Sequence, residues 1–160
     1  PGSKFSVLER SDTHWNLQVE SMEKILEYAA QQGVLVTVEN MDSDKEVVSV
    51  KYWDDLNRLF EDLGKQEKWV TLDVTHIRDT DLVLDFIAQG APHIAHVHLS
   101  DGTAGQMHLR IGDGDLDLRR IVRSLQESGY QGVWSLECFI ADNNKETMME
   151  ELRRARALFE

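Results

Sequence analysis

The chain has 160 residues, 41% hydrophobic and 29% charged, with one Cys and a formal net charge of −12 from 17 basic and 29 acidic side chains. That is the composition of one soluble domain able to bury its own core. The lone Cys138 excludes an intrachain disulfide framework and sets a reducing, cytoplasmic expectation. No apolar run nears the roughly 20 residues of a membrane span. The acid excess argues against nucleic acid as a partner, because such affinity draws on Lys and Arg neutralising phosphates.

In chain order, Val19, Met22, Ile25, Leu26 and Ala29 recur at three-and-four spacing and predict a first helix, closed by Gly33. The β-branched run 34–39 predicts a strand. Leu56, Leu59, Phe60 and Leu63 predict a second helix closed by Gly64, and residues 69–73 the next strand. Val83, Phe86 and Ile87 mark a third helix closed by Gly90, followed by a strand over 94–98. Leu118, Ile121, Val122 and Leu125 mark a fourth, closed by Gly129 and followed by a strand over 133–137. Met148, Leu152, Ala155 and Phe159 complete a fifth helix. Strands alternating with helices imply right-handed βα crossovers and an α/β fold with a parallel sheet, and nothing marks a domain boundary within 1–160.

In such a sheet ligands bind at the carboxyl ends of the strands, and here those ends carry Glu39, Asp73, His98 and Glu137. Any one of them alone reads as a solvated or helix-capping side chain. Four on successive parallel strands converge on one rim and suit a divalent cation, Mn²⁺, Mg²⁺, Co²⁺ or Zn²⁺. His76, three residues after Asp73, and His108, in the loop after the third strand, are candidates for binding substrate or a second cation. His96 reads as a hydrogen-bonded interior imidazole, while His93 and His14 read as surface residues. The stretch 108–115 contains Gly112 and Gly114 but no phosphate-loop Lys, and Asp113 and Asp115 would repel phosphate. It reads as a tight turn leading to a helix capped by Asp115 or Asp117. Arg110 beside it is a candidate substrate contact, while Asn40, Ser100 and Asp101 are polar neighbours suited to hydroxylated ligands. Cys138 reads as a buried structural thiol.

At these residues the chain resembles the xylose isomerase-like TIM-barrel superfamily, which holds sugar and sugar-phosphate isomerases and epimerases, inosose dehydratases and the endonuclease IV group. The segments that carry the resemblance are Val36-Thr37-Val38-Glu39-Asn40, Leu72-Asp73-Val74-Thr75-His76, His96-Val97-His98-Leu99-Ser100-Asp101, residues 108–115 and Gly132-Val133-Trp134-Ser135-Leu136-Glu137. They match strands five to eight, so the implied fold is a partial barrel of about four strands and five helices, with Pro1-Gly2 similar to the end of the segment closing strand four. A whole barrel takes roughly 250 residues. The resemblance implies Glu39, Asp73, His98 and Glu137 as metal ligands, the two glutamates also as an acid/base pair, and His76 as a substrate or second-metal contact. It implies a divalent-metal-dependent isomerase or epimerase acting on a small carbohydrate or sugar phosphate. The alternatives are a dehydratase-like lyase, an endonuclease IV-like hydrolase and a non-catalytic half-barrel. Gln106, where the DNA-repair branch carries Asp, weighs against the hydrolase. An open half-barrel implies a homo-oligomer or association with a missing N-terminal half.

Overall fold

In the computed structural model, which describes residues 12–42, 50–65, 67–142 and 144–160, each expected strand except the first is recovered to within a residue. The order is α1 (Asp12–Gln31), β1 (Val38–Glu39), α2 (Trp53–Asp62), β2 (Val70–Asp73), α3 (Thr80–Gly90), β3 (Ile94–Leu99), β4 (Asp101–Thr103), β5 (Gln106–Leu109), α4 (Leu118–Glu127), β6 (Val133–Leu136) and α5 (Lys145–Arg156). Strands β1, β2, β3 and β6 form one parallel sheet in that spatial order. This is the expected α/β arrangement of parallel βα units, with four sheet strands and five α-helices among the described residues. Pro1 and Gly2 lie outside the described residues. No described helix is long and apolar enough to cross a membrane.

Alternation along the strands separates two faces. Val70, Leu72, Val97 and Leu99 are buried in the same apolar core as Leu56, Leu59, Phe86, Ile87, Ile121 and Leu125 of the helices. The opposite face carries Thr71, Asp73, His96 and His98, and it is polar. Register sets the rim: Asp73 pairs with His98, and His98 with Ser135.

Several expectations are corrected. Only Val38–Glu39 of the run 34–39 is strand, because its pairing with β2 begins at Val38 opposite Val70, the first residue of β2, and Val34 and Leu35 are exposed. His108 belongs to a strand, not to a loop: Asp101–Thr103 and Gln106–Leu109 pair antiparallel as a hairpin outside the parallel sheet. On α5 the buried residues are Glu151 and Ala155, whereas Met148 is exposed and Phe159 lies beyond the helix. His93 stacks half-buried on Trp53, with ring centroids 5.3 Å apart. The fourth helix is capped by Asp117, whose carboxylate accepts from the Arg120 amide.

Gly33, Gly64 and Gly129 adopt the positive φ expected of helix-ending residues, but Gly90 does not. Gly90 is the last residue of α3, and a Cβ there would lie 2.4 Å from Cε3 of Trp53. Its smallness serves close packing of the indole instead of a turn. Gly90→Ala is therefore expected to destabilise the fold by about 1–3 kcal/mol, the usual cost of overpacking a core, measured by urea denaturation.

Candidate metal centre

Each member of the centre is held by its own strand end. The strand ladder between β1 and β2 is prolonged by a side chain: the Asn40 amide donates to the Asp73 carbonyl (2.9 Å) and its oxygen accepts from the Asp73 amide (2.7 Å). Asn40 is wholly buried, so it is a clamp between strand ends and not a contact for a hydroxylated ligand. On Asp73, Oδ1 accepts from the Thr75 amide (2.7 Å), the Thr75 hydroxyl (2.9 Å) and the His76 amide (3.1 Å). That leaves Oδ2, buried and without a hydrogen-bond partner, facing the rim.

The ligand atoms of Glu39, Asp73, His98 and Glu137 all lie within 4.8 Å of one another. His98 Nδ1 is 3.1 Å from Glu39 Oε1, 2.7 Å from Glu137 Oε2 and 3.8 Å from Asp73 Oδ2. One Nδ1 proton serves only one acceptor. Glu39 and Glu137 therefore share one imidazole nitrogen, and Glu137 Oε2, buried at the rim, has that nitrogen at 2.7 Å as its ion-pair partner. Burial pushes the Glu137 carboxyl above the ordinary carboxylate range, His98 pulls it down, and the Asp73 charge pushes it up again.

A second group shares Asp73: its ligand atom lies within 4.8 Å of those of His76 and His108, all three residues buried. His76 Nδ1 donates to the Asn40 carbonyl (2.7 Å), which fixes its proton there and turns Nε2 toward Asp73 Oδ2 at 3.9 Å. His108 Nδ1 donates to the Glu137 carbonyl (3.1 Å), with the hydroxyls of Ser100 and Thr75 at 3.4 and 3.5 Å. The two imidazoles meet edge to face at 5.2 Å. His108 reaches this position with a φ of 56°, left-handed for a residue with a side chain.

The structure thus gathers six of the candidate residues into two groups that share Asp73: Glu39, His98 and Glu137 in one, His76 and His108 in the other. Arg110 stands apart, its guanidinium donating to Glu151 of α5 (2.9 Å). Asp101 is also buried, and its carboxylate accepts from the amides of Gly102 (2.8 Å), Gly112 (3.0 Å) and Leu116 (3.3 Å). A Cβ on Gly114 would lie 2.3 Å from that carboxylate. The glycines of the 108–115 stretch therefore wrap an internal anion. Gln106 is exposed on β5. His96 is half-buried and bonded to the Ser135 hydroxyl at 2.8 Å, as expected of an interior imidazole.

A model of the xylose isomerase-like TIM barrel family matches residues 1–158, and the chain belongs to that family. It is 26% identical over 123 residues to the uncharacterized protein MJ1311 of Methanocaldococcus jannaschii, covering 73% of this chain and 41% of that protein. Its fold is similar to that of 3-keto-D-glucoside 4-epimerase, YcjR, from E. coli, with a TM-score of 0.78 and 19% identity over 94% of this chain and 57% of that one. It is similar also to an L-ribulose 3-epimerase, with a TM-score of 0.72 and 21% identity over 92% and 48% of the two chains. The chain thus spans about half the length of these relatives.

Cys138, next to Glu137, donates to Glu151 at 3.6 Å, and burial followed by the Glu151 charge pushes its thiol up to about 12. At pH 8 the thiol is therefore protonated and poorly nucleophilic. Iodoacetamide should label it at least tenfold more slowly in the folded protein than in urea, read by mass spectrometry. Equal rates in the two states would contradict the burial assigned to it.

Proposed function

We propose that this chain carries the metal-binding and proton-transferring half of a sugar or sugar-phosphate isomerase or epimerase. The observation that carries the reading is the buried Asp73 Oδ2, which has no hydrogen-bond donor, within one group of four ligand atoms where Glu39 and Glu137 share a single imidazole nitrogen. Buried anionic oxygens without donors are costly, and a cation supplies what the protein withholds. The donor set of three carboxylates and one imidazole fits Mn²⁺, Mg²⁺, Co²⁺ or Zn²⁺. When bound, such an ion would polarise a substrate carbonyl and offset the charge that develops there.

The chain's own residues would do the rest. Glu39 at the end of β1 and Glu137 just beyond β6, the two outer strands of the sheet, approach the rim from opposite sides, so one can take the proton from the carbon beside the carbonyl and the other return it. Asp73, wholly buried and with one oxygen held by three donors, is a ligand and not a proton carrier. The Nε2 atoms of His76 and His108 are available to substrate hydroxyls, since each Nδ1 is committed to a carbonyl. Arg110 is the nearest candidate in sequence for a phosphate group, but its bond to Glu151 favours a bracing role. The fold likeness to sugar epimerases supports the reaction class.

The same reading extends to a partner. β1 and β6 are the two outer strands of the sheet, and exposed Val34, Leu35, Val133 and Leu136 lie on or beside them. Further βα units, from a longer chain or a second copy, would close the barrel over the polar face.

Glu39→Gln and Glu137→Gln should each cut exchange of deuterium from solvent into a ketose by about 10²–10⁴-fold while leaving the circular dichroism unchanged. Chelation of divalent ions should abolish the same exchange, with recovery on adding Mn²⁺. Exchange that survives both glutamate substitutions would overturn the acid/base assignment.

A further inference from the structure

Two of the rim residues lie outside the strands of the parallel sheet, Glu137 keeping one bond to it from its amide to the Leu99 carbonyl of β3 (3.1 Å). His108 lies on β5, in the separate hairpin, and Glu137 is one residue beyond the end of β6. The segments that bear them are bonded to each other, through the His108 imidazole to the Glu137 carbonyl (3.1 Å) and the Phe139 amide to the His108 carbonyl (2.8 Å). Both are also bonded to one side chain of α5. Glu151 is 1% exposed, and its Oε1 accepts from the Ile111 amide (2.5 Å) and from the Cys138 thiol (3.6 Å), while its Oε2 accepts from Arg110 (2.9 Å).

We propose that Glu151 is a positioning residue for the candidate metal centre, one buried carboxylate that holds the His108 and Glu137 segments in register with the sheet. It touches the residue immediately after Glu137 and the two that follow Leu109, so no rim residue contacts it directly. Its charge is what the role requires. Gln in its place would still accept from one amide, but its NH₂ would face another donor, Arg110 or Ile111, and the junction between the two segments would slacken. A left-handed, non-glycine backbone at His108 needs such an external restraint, because its own conformational preference runs against it.

This inference rests on the proposed metal-dependent reading, and the test separates the two. Mn²⁺ affinity is measured by calorimetry, and the His108 ring resonances by ¹⁵N NMR, both on proteins shown to be folded by circular dichroism. Glu151→Gln is expected to weaken Mn²⁺ binding at least tenfold, the usual scale for loss of a group that orients ligands, and to shift the His108 signals. Arg154→Gln removes two other bonds between α5 and the same loop, to the Ile111 carbonyl and the Asp113 carboxylate (both 3.0 Å), and is expected to leave both readouts within twofold. Arg110→Gln takes away one arm of the brace and should move both readouts in the same direction by a smaller amount, which keeps the test decisive if Glu151→Gln does not fold. Unchanged affinity and unchanged His108 signals in a folded Glu151→Gln protein, or in Arg110→Gln, overturn the positioning role. Equal effects from Arg154→Gln overturn it too, since any loosening of α5 would then suffice. If the unaltered protein fails to bind Mn²⁺, the metal-dependent reading falls, while the His108 signals still decide for or against Glu151.

Discussion

Three carboxylates with ligand atoms inside 4.8 Å repel one another around a single imidazole, and the rest of the structure is arranged around that crowding. At an effective dielectric of 20, each pair of like charges 4 Å apart costs about 4 kcal/mol. The scaffold opposes this with donors aimed at one side of Asp73, from Thr75 and His76, and leaves the other oxygen bare. Asn40 ties the Glu39 strand to the Asp73 strand by two bonds that copy a strand ladder, so the crowded ends cannot splay apart. The strain is thus confined to the rim, where a divalent ion would relieve it.

Polarity continues beneath the rim. Thr37, just before β1, shares a hydrogen bond with Thr71 of β2 at 2.7 Å, and His96 of β3 another with Ser135 of β6 at 2.8 Å. Barrel interiors of this kind are usually filled by branched apolar side chains. Here the apolar material goes instead to the outer face, where Val70, Leu72, Val97 and Leu99 meet the helices. A sheet that is apolar on one side and polar on the other keeps its helices firmly while leaving a polar face for the rim chemistry.

Much of the centre was legible because alternation and strand length are local properties. Glu39, Asp73, His98 and Glu137 each end an apolar run, and the carboxyl ends of parallel strands lie on one rim by topology alone. His76 was legible from its spacing after Asp73. The hairpin was not, since β4 and β5 are short and carry Asp101, Gln106 and His108, so no apolar alternation announces them. Asn40 and Asp101 looked like ligand contacts because the sequence reports polarity but not burial. Glu151 was invisible for the opposite reason: a charged residue interrupts an apolar stripe, and the periodicity that predicted α5 pointed to Met148, which is exposed.

By itself, then, the sequence determined the alternation of strands and helices, the parallel sheet and the donor atoms offered at its rim, because period, propensity and chain connectivity are written in neighbouring residues. Only the tertiary structure decided which polar groups were spent internally and which were left for a ligand. Asn40, Asp101 and Glu151 are consumed by bonds to partners 33, 11 and 40 residues away, whereas Asp73 Oδ2 is left without one. The reason is that hydrogen-bond satisfaction depends on distances set by packing, and packing joins residues that the sequence keeps far apart.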